Sequence, residues 1–365
     1  MRDLKLMVPG PVPISKETRA ALGAPITAHY GRKWAEFYHD TMQRLARVFQ
    51  TKEEVVCIPG SGTAGLEAAL SSCVVRGETL VVLSNGLFGD RLIEIARSHG
   101  IKVVSVSVPP TSVIDPGLLE DTLRRTRSPA AVAVVHCESS SGVLNPIRDL
   151  AAVAHRKGVP IIVDAISSLG GVDLRMDEWG IDVCVTASQK ALQGPPGLAL
   201  VAVAAKMWDR IRSLPSPGWY LNLRVWKHYA EKWKDNHPYP TTMSTPLVRA
   251  LRQAVDEILS EGLMARFERH QRTAYELRRR LEALGFEPFL SERIASPTIV
   301  AMGGHEKISP DSLVRELLLR YGIRIARGLG PTEGEIFRVG NMGFQASLER
   351  VDKLVSAIED LLTTL

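Results

Sequence analysis

Short, almost wholly apolar and β-branched runs recur along the first two thirds of the chain, at 54–58, 79–84, 102–107, 131–136, 160–164, 182–186 and 198–203. Amphipathic or Ala-rich stretches of helical length separate them, so the pattern predicts alternating strands and helices. The strands are nearly all apolar rather than alternating, as a parallel-rich sheet covered by helices on both faces requires. From 212 to 246 the periodicity stops and Pro, Trp, Tyr, Asn and His predominate, which predicts a long loop serving a site or an interface. One or two long helices are expected over 247–285. A strand near 298–302, a helix near 310–321, short strands at 323–326 and 336–339 and a last helix from 346 then form a smaller α+β domain.

At 365 residues, with 45% hydrophobic and 23% charged side chains, the chain has enough material for two domains. Its 45 Lys and Arg against 40 Asp and Glu give a net charge of +5, scattered over helical segments, so no basic tract points to nucleic acid. The longest apolar stretch, 198–205, falls far short of a bilayer span. The N-terminus runs at once into Pro9-Gly10-Pro11, which leaves no room for a signal peptide, and the C-terminal Leu362-Thr363-Thr364-Leu365 is no peroxisomal address. A cytoplasmic protein is expected. Cys57, Cys73, Cys137 and Cys184 form no C-x-x-C pair, and the first, third and fourth lie in or directly after apolar runs that read as buried strands; they are read as reduced core thiols rather than a disulfide or a metal site.

Three segments at the ends of predicted strands carry candidate chemistry. Gly60-Ser61-Gly62-Thr63-Ala64-Gly65 opens a helix; its free N–H groups and dipole suit a phosphate, although a purely structural tight turn has the same composition. It also satisfies the dinucleotide pattern, but the acid expected about 20 residues on is not cleanly present. Asp164 ends the run Pro160-Ile161-Ile162-Val163, where open α/β sheets bind ligands. A buried carboxylate there needs a cationic partner such as a protonated pyridine nitrogen, or else it caps the next turn. Lys190, in Ser188-Gln189-Lys190, follows another strand among small uncharged neighbours; desolvation would lower its pKa and leave an amine able to form an imine. Together these are the contributions that pyridoxal 5'-phosphate requires of a protein.

Lys5-Leu6-Met7-Val8-Pro9-Gly10-Pro11, the segment from His136 to Pro146, Val163-Asp164-Ala165-Ile166-Ser167-Ser168-Leu169-Gly170-Gly171 and Ser188-Gln189-Lys190 resemble the class V aminotransferases, most nearly their alanine–glyoxylate and serine–pyruvate branch. The resemblance runs over essentially the whole chain in consistent order. It implies fold type I of the pyridoxal-phosphate enzymes: an N-terminal arm (1–20), a large cofactor-binding domain (21–250) around a seven-stranded, mostly parallel sheet, a small α+β C-terminal domain (251–365), and a homodimer with shared active sites.

By the same resemblance Lys190 forms the Schiff base, Asp164 pairs with the pyridine N–H, and Ser139 meets the ring hydroxyl. Phe88 and Ile166 would cover the two ring faces, while Gly62, Thr63 and Gln189 hold the phosphate, with Ser61 a further cofactor-binding residue. Tyr239 and Thr242 match positions that reach the phosphate from the partner subunit, and Arg338 matches the arginine that grips the substrate carboxylate. Phe88 and Thr63 replace the Trp and His of some relatives. The bland reading of Arg338 is that it neutralises Glu333 or Glu335. The implied activity is ping-pong transfer of an amino group from alanine or serine to glyoxylate or pyruvate. The alternatives are aminoethylphosphonate–pyruvate or pyridoxamine–pyruvate transamination, a Cys-independent lyase, or a nicotinamide enzyme built on the Gly60–Gly65 segment. No Cys follows Cys184, which argues against a persulfide-forming desulfurase.

Overall fold

The computed structural model describes residues 4–364; the first three residues of the expected N-terminal arm, and Leu365, lie outside the described residues. Seven strands make the main sheet: β1 (Val55–Pro59), β2 (Thr79–Ser84), β3 (Lys102–Ser107), β4 (Pro129–Val135), β5 (Ile161–Asp164), β6 (Val183–Ala187) and β7 (Leu198–Val203). Their order is β1-β7-β6-β5-β4-β2-β3. Only β7 runs against its neighbours β1 and β6; every other pair is parallel. The expected α/β architecture with a mostly parallel seven-stranded sheet is what the chain forms. The strands β5, β6 and β7 are buried at every position, whereas β3, at the sheet edge, alternates towards solvent with Lys102, Ser105 and Ser107, and such polar positions blunt an open edge.

Helices α1 (Arg32–Phe49), α2 (Gly62–Cys73) and α3 (Leu87–Ser98) pack on this sheet. The stretch 247–285 forms two helices, α4 (Thr245–Glu261) and α5 (Leu263–Ala283), separated at Gly262 with φ +84°, a conformation that glycine adopts without steric cost. The small C-terminal sheet contains β8 (Ile299–Met302), β9 (Ala326–Arg327) and β10 (Phe337–Gly340), packed with α6 (Pro310–Tyr321) and α7 (Leu348–Thr363) on a second core around Leu313, Leu317, Phe337 and Leu354. The arm joins the two parts. Lys5–Leu6 pairs in parallel with Ile323–Arg324, the Gly340 N–H donates to the Met7 carbonyl, and the Val12 N–H donates to the Gln189 carbonyl.

The expected loop over 212–246 needs a correction, because it contains a helix at Leu223–Lys232. Asn222 caps that helix by accepting the Arg224 N–H, and Leu223 and Trp226, three residues apart, are buried. Two anchors on one face suffice for a short helix, but they give no sustained apolar period. All four cysteines are buried and free. Among the described residues no helix is long and apolar enough to cross a membrane.

Candidate active site

The parallel strands deliver their carboxyl ends to one side of the sheet. After β1, Ser61 stands at the N-cap of α2 in extended geometry, and its hydroxyl makes no capping bond. The first N–H groups of the helix have no preceding turn to donate to, so this end is open to an anion. A Cβ on Gly62 would lie 2.5 Å from Ile166 Cδ1 and 3.1 Å from Ala187 Cβ, so glycine lets the helix start close against the sheet.

After β2 the chain enters α3, whose first turn carries Phe88, with the Arg91 guanidinium 4.9 Å from the ring centroid. Glu138 holds this turn. Its carboxylate accepts the N–H groups of Phe88 and Gly89, each at 3.1 Å, the Ser140 N–H at 3.0 Å and the Ser140 hydroxyl at 2.6 Å. The side chain is fully buried, and burial raises its pKa although all these donors oppose the rise. Next to it, Ser139 Oγ and Ser167 Oγ are hydrogen-bonded at 2.5 Å.

Asp164 closes β5. Its Oδ1 accepts the Ile166 N–H at 2.8 Å, and among the described residues it forms no ion pair. Burial pushes the carboxyl up to about 7, against the pull of that N–H and of the more distant Lys190 and Arg91. Lys190 lies beyond β6, and its Nζ donates to the Pro9 carbonyl. Gly10, at φ +97°, would place a Cβ 2.5 Å from Lys190 Cδ, so the arm needs glycine where the lysine passes it. Burial takes this amine down to about 8, with Asp164 and Cys137 opposing and Arg338 adding to the fall.

Nine of the residues singled out by sequence meet here. Ser61, Gly62, Thr63, Phe88, Ser139, Asp164, Ile166, Gln189 and Lys190 line one cavity of about 160 Å³. Arg338 lines an adjoining cavity of about 610 Å³ that shares Phe88, Ser139 and Lys190 with the first. It sits in β10, 6% exposed, donating from Nε to the Arg327 carbonyl at 2.9 Å and from Nη1 to the Ser139 carbonyl. No carboxylate of the described residues pairs with it, Glu333 and Glu335 included, and burial lowers its pKa to about 10. Tyr239 and Thr242 line neither cavity. Tyr239 is buried against Trp34, whose indole N–H donates to its hydroxyl at 2.5 Å, and Thr242 is exposed.

The family model described as aminotransferase class-V matches residues 16–351. The chain belongs to the class V aminotransferases. It is 36% identical to an aminotransferase of Methanocaldococcus jannaschii over 93% of this chain and 87% of the relative. It is 31% identical to the alanine–glyoxylate aminotransferase of Callithrix jacchus over 98% and 87%. The structure of the ureidoglycine–glyoxylate aminotransferase of Bacillus subtilis superposes with a TM-score of 0.94 at 29% identity, covering 100% of this chain and 94% of that one.

Pyridoxal phosphate is the cofactor of this family, and the aminotransferase's cavity fits it on its own geometry. A buried acid that forms no ion pair among the described residues suits a protonated ring nitrogen, and Gln189 carries a buried amide oxygen with no hydrogen-bond partner among them. An open helix end suits the phosphate, and Phe88 and Ile166 offer apolar walls for the ring. Three lining or supporting residues carry no assignment from sequence reasoning: Arg91, Ser167 and Glu138. Glu138 lies inside the His136–Pro146 motif, where a lone Glu among serines and apolar residues was the available signal; that it holds the Phe88 turn depends on a contact 50 residues away.

Proposed function

We propose that this aminotransferase moves the amino group of a small α-amino acid to glyoxylate or pyruvate by a ping-pong route, with alanine and serine the first donors to test. When bound, pyridoxal phosphate supplies an electrophilic carbon for amines and a protonated ring that draws electrons from the substrate Cα. Lys190 would hold it covalently, and the Nζ amine, once free, would be the base that takes the Cα proton and the acid that gives a proton back. Asp164 keeps a proton at the ring nitrogen. Ser139 meets the ring hydroxyl, Phe88 and Ile166 cover the ring, and Ser61, Gly62, Thr63 and Gln189 hold the phosphate. Arg338 grips the substrate carboxylate through Nη2, the guanidinium nitrogen that its two carbonyl acceptors do not engage. Tyr239 and Thr242 serve the cavity of a second copy of the chain in a homodimer.

One observation carries the reading: a desolvated amine and an unpaired buried acid share the same cavity, with pKa values displaced towards each other. The glyoxylate named for the Callithrix and Bacillus relatives supports that acceptor. The test is a panel of amino donors added to the purified holoenzyme, with the visible absorbance of the lysine-bound cofactor as readout. Alanine or serine should bleach it and glyoxylate or pyruvate restore it. A spectrum unmoved by every donor removes the proposal.

A further inference from the structure

The larger cavity contains more positive charge than one amino-acid carboxylate requires. Besides Lys190 and Arg338 it is lined by Arg315, Arg324 and Arg327, with Glu333 the one carboxylate among its lining residues. Two of these cations are committed: Arg315 pairs with Glu316 at 3.2 Å and Arg327 with Asp311 at 3.5 Å. Arg324 is different. Its backbone is fixed, opposite Leu6 in the parallel bridge and accepting the Met7 N–H at 2.8 Å, while its exposed side chain forms no hydrogen bond or ion pair with any described residue. Arg324 therefore lines, from an anchored backbone and with a guanidinium unneutralised among the described residues, the cavity that Lys190 and the proposed carboxylate clamp also line.

We propose that Arg324 is a second anion subsite, and that the substrate of this aminotransferase carries a second anionic group, a carboxylate or phosphonate, on the side chain of the amino acid or oxo acid. This rests on the transaminase reading above and narrows its donor. One carboxylate meets Arg338 beside Lys190, and the distal anion reaches towards the Ile323–Arg324 strand. Alanine and serine leave Arg324 unused. A guanidinium is suited to the task because its donors match two oxygens of a carboxylate or phosphonate at once.

The test compares ligands of near-equal shape on the holoenzyme. Calorimetry with succinate and butyrate isolates the second charge: succinate should bind at least about tenfold tighter, and R324Q should abolish that difference. In the donor half-reaction the kcat/KM ratio of aspartate to asparagine should exceed about ten, fall about tenfold in R324Q and recover in part in R324K, which keeps the charge but not the fork. Replacing aspartate by 2-amino-3-phosphonopropionate tells which distal anion is preferred. Equal binding of succinate and butyrate, or an aspartate-to-asparagine ratio unchanged in R324Q, overturns the subsite. Succinate binding that depends on Arg324, in an enzyme whose absorbance responds to no amino acid, keeps the anion subsite and overturns the transaminase reading instead.

Discussion

At the residue scale, burial determines the two central groups. Lys190 and Asp164 both lose solvation at the strand ends, and each is displaced towards its neutral form. Lys190→Ala should abolish turnover while phosphate contacts retain some cofactor. Borohydride reduction of the wild type should fix the cofactor to the peptide bearing Lys190, and a label on another lysine would refute the assignment. For Asp164 the sign follows from its folded-state pKa of about 7, above the ordinary carboxylate value. The folded cofactor-free protein keeps a proton that the unfolded chain has released. Stability therefore falls as pH rises from about 4 to about 7, by at most about 4 kcal/mol. Asp164→Asn should remove that dependence, so its melting temperature should exceed the wild type's at pH 8 by more than at pH 5. Parallel melting curves for the two proteins across this range would show that the carboxyl is not desolvated. The strand-end position of both residues was legible in sequence, since an apolar run that stops at Asp or just before Ser-Gln-Lys is a local pattern. The absence of a cation beside Asp164 was not, because it depends on side chains from other strands.

At the element scale, the start of α3 shows how one buried side chain shapes a local structure. Glu138 accepts three backbone N–H groups, of Phe88, Gly89 and Ser140. Glu138→Ala leaves these donors without their acceptor in a dry site, which should cost at least about 3 kcal/mol and free Phe88 from its place. The expected result is a lower melting temperature together with weaker cofactor retention, milder in Glu138→Gln, which keeps one acceptor oxygen. An unchanged melting temperature for the alanine variant would mean that water replaces the carboxylate at little cost. The strands were readable because β-branched apolar runs have few alternatives; those at 79–84, 102–107 and 198–203 coincide with the observed elements. The Leu223–Lys232 helix was hidden by its brevity and its aromatic neighbours.

At the scale of the whole molecule, Tyr239 and Thr242 lie outside both cavities of their own chain. A homodimer would give them a function. Sedimentation should find two chains per particle. Thr242→Ala should raise the cofactor dissociation constant about tenfold, as expected for one hydrogen bond to a phosphate. A monomer, or a variant that keeps full cofactor affinity, would leave Thr242 without that part. The arm works at the same scale: residues 5–12 connect the strand Ile323–Arg324 with Gln189 and bring the Pro9 carbonyl to the Lys190 amine, so the two cores and that amine are tied by one short segment.

By itself the sequence determined the α/β alternation, the strand-end positions of Asp164 and Lys190, the helix opening at Ser61–Thr63 and the family, because each is written in a contiguous pattern of apolar runs, glycines and motif residues. Only the tertiary structure decided which of these ends face one another. The sheet inserts β7 between β1 and β6 and places β2 beside β4, an order that no local pattern encodes. Arg338 and Ser139, 199 residues apart, become hydrogen-bonded, and Arg324, without an ion pair among the described residues, lines the cavity that Lys190 also lines. Those facts depend on long-range packing, where the partner of a side chain is set by the whole sheet rather than by its neighbours in sequence.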